Sequence, residues 1–157
     1  MFKITLNSPK AYETIKVRLG NEDFYTDLYY YCTDNTFFEE HASMSKGLLN
    51  FVCMVENWKV SIKKLGIGSS TALPFDFSDE YVGFFIVTAK NDKEVKIQSA
   101  YTKGIHGVAN SPSDFNSTNF LDEPYEVDDK SYTMPVQELL DSIEDSMTAI
   151  FSEFYKK

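Results

Sequence analysis

Residues 2–7 alternate apolar Phe2, Ile4 and Leu6 with polar Lys3, Thr5 and Asn7, the period of two expected of a strand with one buried face. Ser8-Pro9 interrupts it. The alternation resumes with Ile15, Val17 and Leu19 against Thr14, Lys16 and Arg18. It predicts a second strand at 12–19 ended by Gly20-Asn21, with a short helix opened by Pro9 as the competing reading. The aromatic-rich run 24–32 predicts a third strand, because large rings pack well on a pleated surface. From Met44 onward Leu48, Phe51, Val52, Val55, Trp58 and Ile62 recur at steps of three and four. That spacing predicts a helix over 44–65 stopped by Gly66. Leu49, Phe51, Cys53 and Val55 also alternate, so a hairpin split at Glu56-Asn57 is the alternative.

The second half is organised differently. Residues 81–90 and 94–103 are apolar and β-branched on either side of Asn91-Asp92-Lys93, the signature of a hairpin. Residues 104–132 carry Gly, Asn, Ser, Asp and Pro with little periodicity and predict a long loop. Val136, Leu139, Leu140, Ile143, Met147, Ile150, Phe151 and Phe154 then form one apolar stripe, predicting a helix over 135–155. Pro135 suits its first turn, Glu138 and Asp141 its positive end, and Lys156 and Lys157 its negative end. The expected architecture is α+β: an antiparallel sheet of about five strands packed with two main helices, in one domain spanning 1–157.

Charge divides the chain more sharply than hydropathy does. The net charge is −9 over 157 residues, but residues 1–103 are nearly balanced. Residues 104–155 hold eleven acidic side chains against Lys130 alone. Asp122, Glu123, Glu126, Asp128 and Asp129 fall in the long loop, preceded by Asp114. Glu138, Asp141, Glu144 and Asp145 sit on the last helix, where Asp141 and Asp145 are a like-charge i,i+4 pair that costs a few tenths of a kcal/mol. A solvated face is the ordinary account of such a run. Unmixed sign over this length is also the arrangement that steers a basic partner.

Other chemistry finds little footing. Fourteen lysines, a single arginine (Arg18) and a net negative charge argue against a nucleic-acid partner, which calls for a basic footprint. No apolar run approaches the roughly 20 residues that span a bilayer, and the amino terminus has no export pattern. A cytoplasmic location follows as the expectation, with Cys32 and Cys53 as free, buried apolar fillers. His41 and His106 are far apart and fit no metal-ligand spacing. Glu126-Val127-Asp128-Asp129 lacks the spaced ligands of a calcium loop. Gly66-Ile67-Gly68-Ser69-Ser70 is neither a nucleophile elbow nor a phosphate loop, and reads as a flexible linker. No metal, cofactor or catalytic residue is expected. Tyr25, Tyr29, Tyr30 and Tyr31 form a dense patch that suits either a sheet surface or a contact surface.

Asp122-Glu123, Glu126, Asp128-Asp129 and the Glu138, Asp141, Glu144, Asp145 face give the chain a profile that resembles the small acidic immunity proteins of bacterial toxin systems. Those proteins are single cytosolic domains that bind and neutralise a cognate toxin. The resemblance implies a non-enzymatic binding protein for a basic toxin, in such systems often a nuclease. Asp114, Asp122, Glu123, Glu126, Asp128, Asp129, Glu138, Asp141 and Asp145 are the candidate partner-binding residues. The alternative is a small enzyme or ligand-binding domain with a pocket between sheet and helices.

Overall fold

The structure is a computed structural model that describes residues 1–7, 14–28, 46–78, 80–104 and 120–155. The fold is α+β, with two helices and two antiparallel sheets of three and five strands among the described residues. The first sheet is a meander of β1 (Phe2–Asn7), β2 (Thr14–Leu19) and β3 (Glu22–Asp27). Helix α1 (Lys46–Lys63) follows, then β4 (Ser70–Phe77), β5 (Val82–Ala89) and β6 (Glu94–Thr102). The free edge of β6 pairs with β7 (Glu126–Val127) at one end and β8 (Tyr132–Pro135) at the other, and α2 (Val136–Tyr155) closes the chain.

The alternation in the first two strands does what its period requires. Phe2, Ile4, Ile15, Val17 and Leu19 are buried, as are the α1 residues Leu48, Phe51, Val55, Trp58 and Ile62. The helical reading of that segment therefore holds over the hairpin. Trp58 Nε1 donates to the Pro74 carbonyl at 3.1 Å, tying α1 to β4. On α2, Leu139, Ile143, Met147 and Ile150 are buried, each such side chain stabilising by about 1.5–3 kcal/mol. The Ile4 N–H at the edge of β1 donates to Ser146 Oγ of α2 at 3.0 Å, and Ser146 Oγ donates on to the Ser142 carbonyl at 2.6 Å. The helix thus caps a sheet edge that would otherwise present unpaired amides.

The β5–β6 hairpin forms as predicted. Asn91 Oδ1 accepts from the backbone of Lys93 and Glu94, both at 2.9 Å, the Asx turn that suits asparagine to this position. At the β2–β3 turn Gly20 has φ +61° and packs under Tyr132, whose ring atoms would lie 2.0 Å from any Cβ there. Only glycine meets both demands.

Five expectations change. The segment Gly66–Ser69 is no flexible linker but a tight turn, with Ser69 N and Oγ both donating to the Gly66 carbonyl at 2.9 and 2.6 Å. It feeds β4, a strand hidden in the sequence by Pro74; β4 is an edge strand, where the missing proline N–H costs no ladder bond. The predicted loop at 104–132 contains β7 and buries Phe120. Pro135 ends β8 rather than opening the helix, and Cys53 is half-buried rather than fully buried. The third strand stops at Asp27. Tyr29, Tyr30, Tyr31, Cys32, His41, His106, Asp114, Lys156 and Lys157 lie outside the described residues.

Candidate functional site

Phe2, Phe24, Phe75 and Phe85 join the two sheets. Phe75 stacks on Phe85 with centroids 4.4 Å apart, and Phe24 meets both rings edge-on at 5.8 and 5.2 Å. Phe24 and Phe75 also stand in the wall of an open cleft of about 470 Å³, within the range of small ligand sites.

A β-bulge builds one side of it. Pro74 pairs with Phe84 and Asp76 with Gly83, leaving Phe75 as an extra residue on β4. Strict alternation would put Phe75 and Asp76 on opposite faces. The bulge sets both on the cleft side, the re-aiming that such irregularities accomplish. Strand register then lines up Asp76, Gly83, Tyr101 and Glu126 in one row across β4, β5, β6 and β7. Gly83 is the floor of this row. A Cβ there would come within 3.1 Å of Asp76 Cβ and 3.5 Å of Phe75.

Each carboxylate in the row is held by a phenol. Tyr81 OH donates to Asp76 Oδ2 at 3.1 Å, and Tyr101 OH donates to Glu126 Oε2 in a short contact. The two tyrosine rings meet edge to face, 6.1 Å between centroids. Asp128, just past β7, accepts from Ser99 Oγ at 3.4 Å and from the Lys130 amide at 3.1 Å. Burial pushes the Asp76 carboxyl above its ordinary pKa, although the Tyr81 hydroxyl and the nearby Thr26 hydroxyl favour its charged form. The charge of Asp76 raises the Tyr81 phenol, and the hydrogen bond to Glu126 raises that of Tyr101. Both phenols therefore stay protonated at neutral pH and serve as donors. Thr26 lies on the same face of β3 as Phe24 and is only 3% exposed.

Of the residues predicted from charge, Glu126 and Asp128 line the cleft. Asp122, Glu123 and Asp129 are exposed along the stretch around them. Glu138, Asp141 and Asp145 are exposed on α2 and contribute nothing to the cleft wall. Gln137 Nε2 donates to Asp141 at 2.7 Å, and Glu144 is drawn to Lys59 of α1 at 2.5 Å. The cleft lies between strands β3 to β7, with no helical residue in its wall, so the pocket expected between sheet and helices is not where this cavity sits. Charge alone missed Asp76, Tyr81, Gly83 and Tyr101. Their signal is a glycine inside an apolar strand, which marks close approach, opposite Tyr101 in a hairpin whose turn sets the register.

No family model, curated protein or solved structure matches the chain. The site therefore has to be read from its own chemistry. Among the described residues no group of three His, Cys, Asp or Glu side chains is arranged to hold a metal ion, and no helix is long and apolar enough to cross a membrane.

Proposed function

We propose that this chain is a non-enzymatic binding protein of the cytosol that engages a basic protein partner through the acidic surface at 122–130 and the adjoining cleft. The partner we infer is a toxin domain neutralised in the manner of the immunity proteins that the acid-rich profile resembles. If that domain is a nuclease, the carboxylates would stand where substrate phosphates go. One observation carries the reading: Glu126, Asp128 and Asp76 surround one cleft, and none of the three has an ion-pair partner among the described residues. An uncompensated cluster of one sign beside a cavity attracts the opposite charge and speeds its arrival.

The test is coexpression with the terminal domain of a large secreted protein encoded beside this chain. Growth arrest by that domain should be relieved by the chain, and association of the purified pair should slow as salt shortens the Debye length from about 30 Å at 0.01 M to about 3 Å at 1 M. Arrest that persists, or a flat salt dependence, would remove the proposal.

A further inference from the structure

We propose that the cleft is a socket for one arginine side chain of the basic partner, an inference that rests on the function just proposed and specifies its central contact. The walls and the charges call for the same kind of occupant. Phe24, Tyr81 and Tyr101 supply aromatic surface, Phe75 being stacked on Phe85 and only 5% exposed, while Asp76, Glu126 and Asp128 supply negative charge. A cation that is also planar satisfies both, by lying against the rings and directing its N–H groups at the carboxylates. The Tyr101 ring already attracts a cation in this structure, with Lys103 Nζ 5.9 Å from its centroid.

The partners of the carboxylates point the same way. Each tyrosine takes one carboxylate oxygen, Oδ2 of Asp76 and Oε2 of Glu126. Among the described residues no base pairs with either carboxylate, and the buried Thr26 hydroxyl beside Asp76 favours the charged form of that carboxyl. Asp76 and Glu126 stand three strands apart in their row, about 14 Å at the backbone. Gly83 and Tyr101 stand between them in the row, so the two carboxylates flank the cleft rather than converging on a point. A lysine ammonium is a compact, strongly hydrated point charge. A guanidinium is a weakly hydrated fork of five donors, suited to acceptors spread around it and to stacking on rings.

The experiment titrates the full chain with three capped tripeptides, Gly-Arg-Gly, Gly-Lys-Gly and Gly-citrulline-Gly, while following the Gly83 amide and the Tyr101 ring by NMR. The arginine peptide should shift both saturably, with the lysine peptide several-fold weaker and the neutral citrulline peptide weaker by roughly tenfold or more, as loss of a charge-assisted contact implies. Gly83→Ala encroaches on the cleft without altering charge and should weaken the arginine peptide by a similar factor. Tyr101→Leu, at a residue already 36% exposed, should do the same and covers the case in which Gly83→Ala does not fold. Equal binding of the three peptides, or no saturable shift at Gly83, would overturn the socket. Arginine binding that survives both variants and moves only residues 122–130 would overturn the socket while leaving the acidic-surface function intact. Saturable arginine binding in the cleft, together with failure of the coexpression test, would keep the socket and remove the toxin partner.

Discussion

Two neighbourhoods of carboxylates in this protein differ in their partners. In the one away from the cleft Asp23 takes both Arg18 and Lys16, Glu22 takes Lys130 as well as the Tyr132 hydroxyl, and Lys59 bridges Glu56 and Glu144 between the two helices. Around the cleft the carboxylates meet hydroxyls: Tyr81 on Asp76, Tyr101 on Glu126 and Ser99 on Asp128. A base cancels the charge it binds, whereas a hydroxyl orients a carboxylate and leaves its charge in place. The Arg18 hydrogen bond holds Asp23 below the usual carboxylate range, whereas burial pushes Asp76 above it against the pull of the Tyr81 hydroxyl. The first neighbourhood ties elements together. The second keeps a field directed into a cavity.

Ile143→Asp should have the largest effect, because both neighbourhoods rest on one core. Ile143 is fully buried, and an unpartnered charge there costs several kcal/mol against a total stability of roughly 5–15. Loss of the cooperative melt by circular dichroism is the expected result. An unchanged melt would mean that this helix face is not structural.

Lys59→Ala probes the base-paired neighbourhood. Burial works against the Lys59 charge, but Glu144 and Glu56 outweigh it and raise its pKa. Loss of the bridge should cost ~1 kcal/mol, the upper end for a pair near the surface, read as a lower urea midpoint. No change would mean that the interhelical bridge is ornamental.

Asp76→Asn should act in the opposite direction. Burial raises the folded pKa of Asp76 above its unfolded value, so the folded state binds this proton more tightly than the unfolded chain. Stability therefore falls as pH rises from the ordinary carboxylate range through the raised folded value. The variant removes that loss and should be more stable at pH 7 by up to ~1 kcal/mol, with the gain fading as pH drops below the ordinary aspartate pKa. Denaturant titrations at the two pH values check the sign. A variant less stable than the parent at pH 7 would show that Asp76 is structural after all.

The smallest change in stability is expected from reversing Asp122, Glu126 and Asp129 to Lys together, within about 0.5 kcal/mol, because exposed charges contribute little to folding. The same triple variant should slow association with the basic partner markedly. An association rate equal to the parent's would reduce the acidic stretch to a solubilising face.

Much of this was legible along the chain. Apolar spacing located both helices, and alternation with turn formers located the first strands and the β5–β6 hairpin. β4 was hidden because Pro74 and Asp76 interrupt a run that only an edge position and a bulge can accommodate. β7 and β8 are two and four residues long, too short for any period to show; their pairing is decided by the free edge of β6. Charge density pointed to Glu126 and Asp128. It could not single out Asp76, one acid among balanced neighbours, whose place in the site depends on which face a bulge turns it to.

The hydrogen bond between Ile4 and Ser146 has a consequence for biosynthesis. Its partners are 142 positions apart, so at ~5–20 residues per second roughly 7–28 s pass between their incorporation. During that interval the outer edge of β1 has no helix to cover it, and contacts of such long range form late. The nascent chain carries an open strand edge until the last helix leaves the ribosome, and that interval is when a chaperone would matter most.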